Sequence, residues 1–261
     1  MRSVMSKPNA LAVLLLAASF FTATSCFAGD IRVFSGGAPR EALSALTPEF
    51  EKQTGHKVQF TFLVDSVIRE KLAAGERPDM VIVPAPTLES LIKDGTLKPE
   101  LRPVLGTVGI AMGVRQGAAA PDISTPEKLK AVLLGARSVV HSNPKDTPSG
   151  KQMARVFEQL GIVEAMQGKT VHRNFLDGGA ELIIKGEADF GFYPHSAMMS
   201  VKGVAVAGMI PKALDRLTVY TAAVMSANAS PELAQAFIKF ISDPANHKYW
   251  KQAGFEPPTG S

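Results

Sequence analysis

Four short stretches carry the residue types from which an anion site is built: Ser35-Gly36-Gly37, Asp65-Ser66, Thr147-Pro148-Ser149-Gly150 and Asp177-Gly178-Gly179. Each lies where a β-rich run gives way to a helical pattern. Free backbone N–H groups and the helix dipole attract negative charge at such a joint. Glycine lets the backbone approach a ligand closely. Arg40 and Arg69 lie one turn inside two of the helices, and Lys151 follows the start of a third. An Arg there can clamp a carboxylate with its two-pronged guanidinium. The same residue types also serve as ordinary turn chemistry and solvated surface, so the reading depends on whether the joints meet in space.

Five histidines occur, at positions 56, 141, 172, 195 and 247. None has the i,i+4 spacing with a third ligand that a catalytic metal requires, so no metal is expected. His141 ends one predicted strand and His195 follows another. Both are places from which an imidazole can move a proton near neutral pH. The sequence has no Gly-x-Ser-x-Gly elbow, phosphate loop or dinucleotide fingerprint, so serine hydrolysis and nucleotide cofactors lack support.

The elements that must position these groups alternate along the chain. Strands are predicted at 31–34, 57–62, 80–83, 108–114, 138–141, 190–193 and 217–225. Helices are predicted from Pro39, from Asp65-Ser66, over 87–93, over 125–134, after Gly150, from Gly178-Gly179 and over 231–242. Strand–helix–strand repetition of this kind builds parallel α/β sheets with right-handed crossovers. There is no Pro/Gly/Ser-rich linker, so two lobes would have to be joined through strands. Their cleft is the expected ligand position.

Residues 1–28 read differently. Arg2 and Lys7 precede an apolar run from Ala10 to Ala23, and Cys26 and Ala28 supply small residues before a cut. This is the pattern of a cleavable secretory signal peptide, with a run too short for a membrane span. Its removal takes away Arg2, Lys7 and the single cysteine, so the formal charge of +4 falls to +2. No later segment is apolar enough to span a membrane. No basic–aromatic stripe points to nucleic acid.

The order of several phrases is similar to that of the periplasmic molybdate-binding proteins. They are Ile31-Arg-Val-Phe-Ser-Gly-Gly-Ala-Pro-Arg-Glu-Ala-Leu43, Phe50-Glu-Lys-Gln-Thr-Gly55, Arg77-Pro-Asp-Met-Val-Ile82, Pro148-Ser-Gly150, Lys185-Gly-Glu-Ala-Asp189, Phe192-Tyr193, Ala236-Phe-Ile-Lys-Phe240 and Gly254-Phe255. The resemblance implies an α/β type II periplasmic binding fold: two lobes, two crossover strands and a cleft that closes on an anion. It places lobe 1 at 29–107 with 209–261 and lobe 2 at 108–208. It also implies ligand contacts from Ser66, Ser149 and Tyr193, and a backbone contact at Leu176.

The pocket departs from the molybdate pattern. Ala38 stands where those binders carry a serine hydroxyl, and Pro194-His195-Ser196 replaces the usual Ala-Thr-Asp. Open glycines, extra Arg and His195 suit a larger, multiply charged organic anion. The chain also resembles the aconitate isomerases, exported enzymes of this fold. The expectation is therefore a cofactor-free isomerase of the periplasm that interconverts trans- and cis-aconitate by an allylic proton shift. Ser35, Gly36, Gly37, Arg40, Ser66, Arg69, Ser149, Leu176 and Asp177 would bind substrate. His195 or His141 would move the proton, with Tyr193 as orienter or acid. The alternative is a substrate-binding protein that delivers an oxoanion or small carboxylate to an ABC permease.

Overall fold

The computed structural model describes residues 29–199, 201–228 and 231–258; the predicted signal peptide lies outside them. In the first lobe the order is β1 (Asp30–Gly36), α1 (Arg40–Thr54), β2 (Lys57–Leu63), α2 (Asp65–Ala73), β3 (Met80–Pro84), α3 (Ala85–Lys93) and β4 (Val104–Val108). The chain then crosses through Gly109. The second lobe comprises β5 (Ile110–Arg115), α4 (Pro126–Gly135), β6 (Val139–His141), α5 (Pro148–Leu160), α6 (Val163–Gln167), β7 (Thr170–His172), a kinked turn (Phe175–Gly179), α7 (Ala180–Lys185), β8 (Phe190–Pro194), α8 (His195–Met198) and β9 (Val204–Met209). Residues 210–217 return to the first lobe, which finishes with β10 (Thr218–Val224), α9 (Pro231–Ser242), a short 3-10 turn (Pro244–Asn246) and α10 (His247–Gln252).

Two five-stranded sheets result, ordered β2-β1-β3-β10-β4 and β7-β6-β8-β5-β9. In the first, β1 runs parallel to β2 and β3, while β10 is antiparallel to β3 and β4. The second repeats the plan, with β6 parallel to β7 and β8, and β5 antiparallel to β8 and β9. This is the two-lobed type II periplasmic binding fold. The antiparallel members are the strands next to the two crossings, which enter their sheets from the other lobe.

Both faces of the first sheet are buried, as the strand period of two requires. Ile31, Val33, Met80 and Ile82 pack against Leu43, Leu46 and Phe50 of α1 and Phe237 of α9. The intervening Phe34, Val81 and Val83 pack against Ile68 and Leu72 of α2 and Leu88 of α3. Trp250 of α10 is fully buried, and its indole N–H donates to the Ile241 carbonyl at 2.8 Å. α1 ends at Gly55, whose φ of 76° is the left-handed C-terminal cap.

The single strand expected over 108–114 is two strands, β4 and β5, broken at Gly109. A Cβ at Gly109 would overlap the Asp215 carboxylate and the end of the Met209 side chain, so any larger residue where the crossings pass must displace both. β7 and α6 are too short to leave a periodic signature, and β4 lacks a clear alternation. Among the described residues, no helix is long and apolar enough to cross a membrane.

Candidate functional site

β1 delivers the chain to Gly36 and Gly37 in the wall of a cavity between the lobes. A Cβ on Gly36 would lie 3.0 Å from the Tyr220 ring, so β10 closes directly onto this turn. Arg40, the first residue of α1, lines the same cavity. Its guanidinium carbon sits 4.5 Å from the centroid of the Phe62 ring. The Arg40 Nε is buried and has no hydrogen-bond partner among the described residues. A buried donor left unpaired is costly, so this N–H is a standing attraction for an acceptor in the cavity.

Asp65 opens α2 and also lines the cavity. Its Oδ2 accepts the Thr87 hydroxyl at 3.0 Å and faces Arg69 Nε at 3.7 Å, while Oδ1 is buried without a partner among the described residues. The next residue ties the lobes together. Ser66 N–H donates to the Asp146 carbonyl of the second lobe at 3.3 Å.

The second lobe contributes three segments. Thr147 caps α5 by accepting the Gly150 N–H at 3.0 Å, and its hydroxyl lies 3.2 Å from that of Ser149. Gly150 is required because a Cβ there would overlap the Ser142 and Asn143 carbonyls. A kink at Asp177 and Gly178, both non-helical, places Asp177 at the cavity beside Asn174, whose Oδ1 is buried with no partner among the described residues. β8 and α8 bring Tyr193 and Ser196. Tyr193 is fully buried, its hydroxyl donates to the Arg173 carbonyl at 2.9 Å, and burial pushes the phenol above its ordinary range. Gly179 leaves room for that hydroxyl, which occupies the place a Cβ would take. The Ser196 Oγ is buried with no partner among the described residues.

All four strand-to-helix joints therefore supply walls of one cavity of about 600 Å³, through Gly36 and Gly37, Asp65, Thr147 to Ser149, and Asp177. Apolar surface comes from Phe62, Val64, Val67, Phe175 and Val201. Its charged lining is one cation, Arg40, with three acids, Glu41, Asp65 and Asp177. Burial, with the Asp65 charge adding, also pushes the Tyr220 phenol up. Among the described residues, no group of three or more His, Cys, Asp or Glu is placed to hold a metal.

Of the residues singled out from the sequence, Gly36, Gly37, Arg40, Ser149, Asp177 and Tyr193 line this cavity. Leu176 belongs to the kinked turn between two lining residues. Five others do not line it. Ser35 is buried and its hydroxyl donates to the Gly36 carbonyl at 2.9 Å. Ser66 spends its N–H on the other lobe, and Arg69 lines a neighbouring cavity. His195 begins α8 with its N–H on the Gly109 carbonyl, and a Cβ on Gly254 would lie 3.1 Å from its Nδ1. Its ring thus packs near the carboxy-terminal turn.

His141 also points elsewhere. It is 1 % exposed, its Nδ1 lies 2.7 Å from the Ser142 carbonyl, and its ring stands 4.9 Å from that of His172. Burial lowers it from 6.5 to about 4. It lines a separate hollow of about 260 Å³. Asn174, Ser196 and Tyr220 were not foreseen. A signal existed for Ser196, two residues beyond the end of β8; Tyr220 reaches the site only because β10 inserts next to β3.

Residues 31–256 match the family model described as bacterial extracellular solute-binding protein. The chain is 30% identical over 254 residues to an aconitate isomerase of Pseudomonas sp., covering 95% of each chain. It is 22% identical over 244 residues to the molybdate-binding protein ModA of Escherichia coli strain K12, covering 92% of this chain and 94% of that one. The periplasmic molybdate-binding protein of Azotobacter vinelandii superposes with a TM-score of 0.76 at 20% identity, over 88% of this chain and all of the other.

Proposed function

The chain belongs to the bacterial extracellular solute-binding proteins, and from that membership we propose that it is a periplasmic isomerase that interconverts trans- and cis-aconitate. The observation that carries the reading is the meeting of all four joints and Arg40 in one cavity between the lobes. The 30% identity to an aconitate isomerase supports the choice of substrate.

The chemistry needs no redox partner. A base takes a proton from the methylene carbon of the substrate, and the C–H electron pair becomes the new double bond. The old double bond then accepts a proton at its former vinylic carbon. Donors aimed at the carboxylates stabilise the carbanion between the two steps. In the cavity, Arg40, Ser149 and Ser196 hold carboxylates. The unpartnered Oδ1 of Asp65 takes the proton. Tyr193, whose hydroxyl proton is committed to Arg173, orients the wall. Neither His195 nor His141 lines the cavity, and of its three acids Asp65 has a buried oxygen without a partner among the described residues, which supports giving it the proton.

The alternative is a substrate-binding protein that hands a small anion to an ABC permease, a reading favoured by the likeness to ModA across nearly the whole chain. Proton NMR of the purified protein with trans-aconitate in deuterated water separates the two. Appearance of cis-aconitate is the expected result. No turnover and no deuterium uptake, together with tight molybdate binding, would overturn the isomerase.

A further inference from the structure

Beside Asp65 lies a second cavity of about 470 Å³. It shares with the first a wall of Asp65, Pro84, Thr147, Pro148 and Thr218. Its charge is the opposite. Arg69 of α2, Lys145 of the β6–α5 connection, Lys151 and Arg155 of α5, and Arg216 of the return crossing all line it, with only Asp65 and Asp146 as acids. Arg69 faces Asp65 at 3.7 Å. Among the described residues, Lys145, Lys151, Arg155 and Arg216 make no ion pair.

Cations gathered around one concavity without counter-charges repel one another, and the low-dielectric walls focus their field into the hollow. The arrangement is relieved when an anion enters. Two lysines supply mobile point charges, while the arginines offer planar forks matched to carboxylates. The cations come from both lobes and from the return crossing, so they surround the hollow rather than converge on one point. That layout fits charge spread along a carbon chain better than a compact tetrahedral oxoanion.

We propose that this second cavity is an anion-binding compartment in its own right, which takes a small di- or tricarboxylate at the flank of the main cavity. The assignment does not depend on the isomerase reading, because binding here requires no turnover.

The test is a ¹⁵N-amide NMR titration of the protein with citrate at low salt. Amides of Lys145 to Arg155 and of Arg216 to Thr218 should shift and saturate. The Lys151→Gln/Arg155→Gln pair should weaken that response about tenfold, and about 0.5 M NaCl should do the same. Arg216→Gln is a second, independent variant with the same expected direction. Shifts confined to the main cavity, or unchanged affinity in both variants, would overturn the compartment. Inorganic phosphate shifting the same amides with equal affinity would overturn the carboxylate assignment.

Discussion

Asp215 and Ile110 join the two crossings between the lobes: the Asp215 Oδ2 accepts the Ile110 N–H at 3.3 Å. Burial pushes this carboxyl from 3.8 up to about 6, opposed by the Ile110 hydrogen bond and reinforced by the charge of Glu256. The folded protein therefore holds this proton more tightly than the unfolded chain. Its stabilising contribution is complete below about pH 4 and is lost as the pH rises through about 6. Asp215→Asn, which keeps the acceptor, should raise stability at pH 7.5 by about 1 kcal/mol after solvent screening and leave it unchanged near pH 4. Urea denaturation at the two pH values measures this, and an equal gain at both would exclude the titration of Asp215 as its source.

His141 acts with the opposite sign. Its ring is held neutral by burial, with a folded value of about 4 against 6.5 ordinarily. A depressed histidine stabilises the fold above about pH 6.5, and the contribution drains away as the pH falls toward 4. The wild type should lose about 2 kcal/mol on this account between pH 7 and pH 4.5. His141→Gln retains a donor for the Ser142 carbonyl and should flatten that limb. An unchanged acid limb in thermal melts would show that the ring titrates normally.

Arg40 is a group whose removal should affect ligand more than fold. Arg40→Ala should lower kcat/KM for trans-aconitate by at least ~100-fold, the scale of a lost charge-assisted, two-pronged contact. Arg40→Lys should recover only part of it, because a point charge lacks the fork. Melting temperatures within a few degrees of wild type are the control. Equal loss of activity and fold would make Arg40 a structural residue.

The proton-moving role separates Asp65 from His195. Asp65→Asn still accepts the Thr87 hydroxyl but cannot take a proton, so kcat should fall by at least ~100-fold with little change in KM. His195→Ala should stay within about threefold of wild type, since its ring packs near Gly254. Steady-state kinetics of both variants decide the matter, and a large loss only in His195→Ala would reverse the assignment.

The joints were legible in the sequence because Gly, Ser and Pro mark the place where a strand turns into a helix, whether or not a ligand binds there. That all four face one cavity was not, since it depends on β10 entering the first sheet and on the closeness of Ser66 and Asp146. The histidines show the limit most clearly. Both stand at strand ends, as the pattern of α/β sites requires. Yet His141 leaves β6 toward Phe157 and His172, and His195 packs toward Gly254. Arg40 and Arg69 looked equivalent one turn into their helices. Arg40 lies over Phe62 in the main cavity, whereas Arg69 turns to Asp65 and the second one. Spacing reports the position of a Cα along an element, not the direction of the side chain it carries.

The place of β10 between β3 and β4 bears on how the molecule comes into being. Met80 pairs with Val224, so the first sheet has a gap between β3 and β4 until the last part of the chain has been synthesised. The second lobe, continuous from β5 to β9, can close earlier. During that interval β3, apolar on both faces, presents an unpaired edge of the kind that draws strands from neighbouring molecules. Premature chain termination just before Thr218 should therefore yield a product with one finished lobe and one prone to clump. A chaperone would find its client in the first lobe, at the strand that waits longest for its partner.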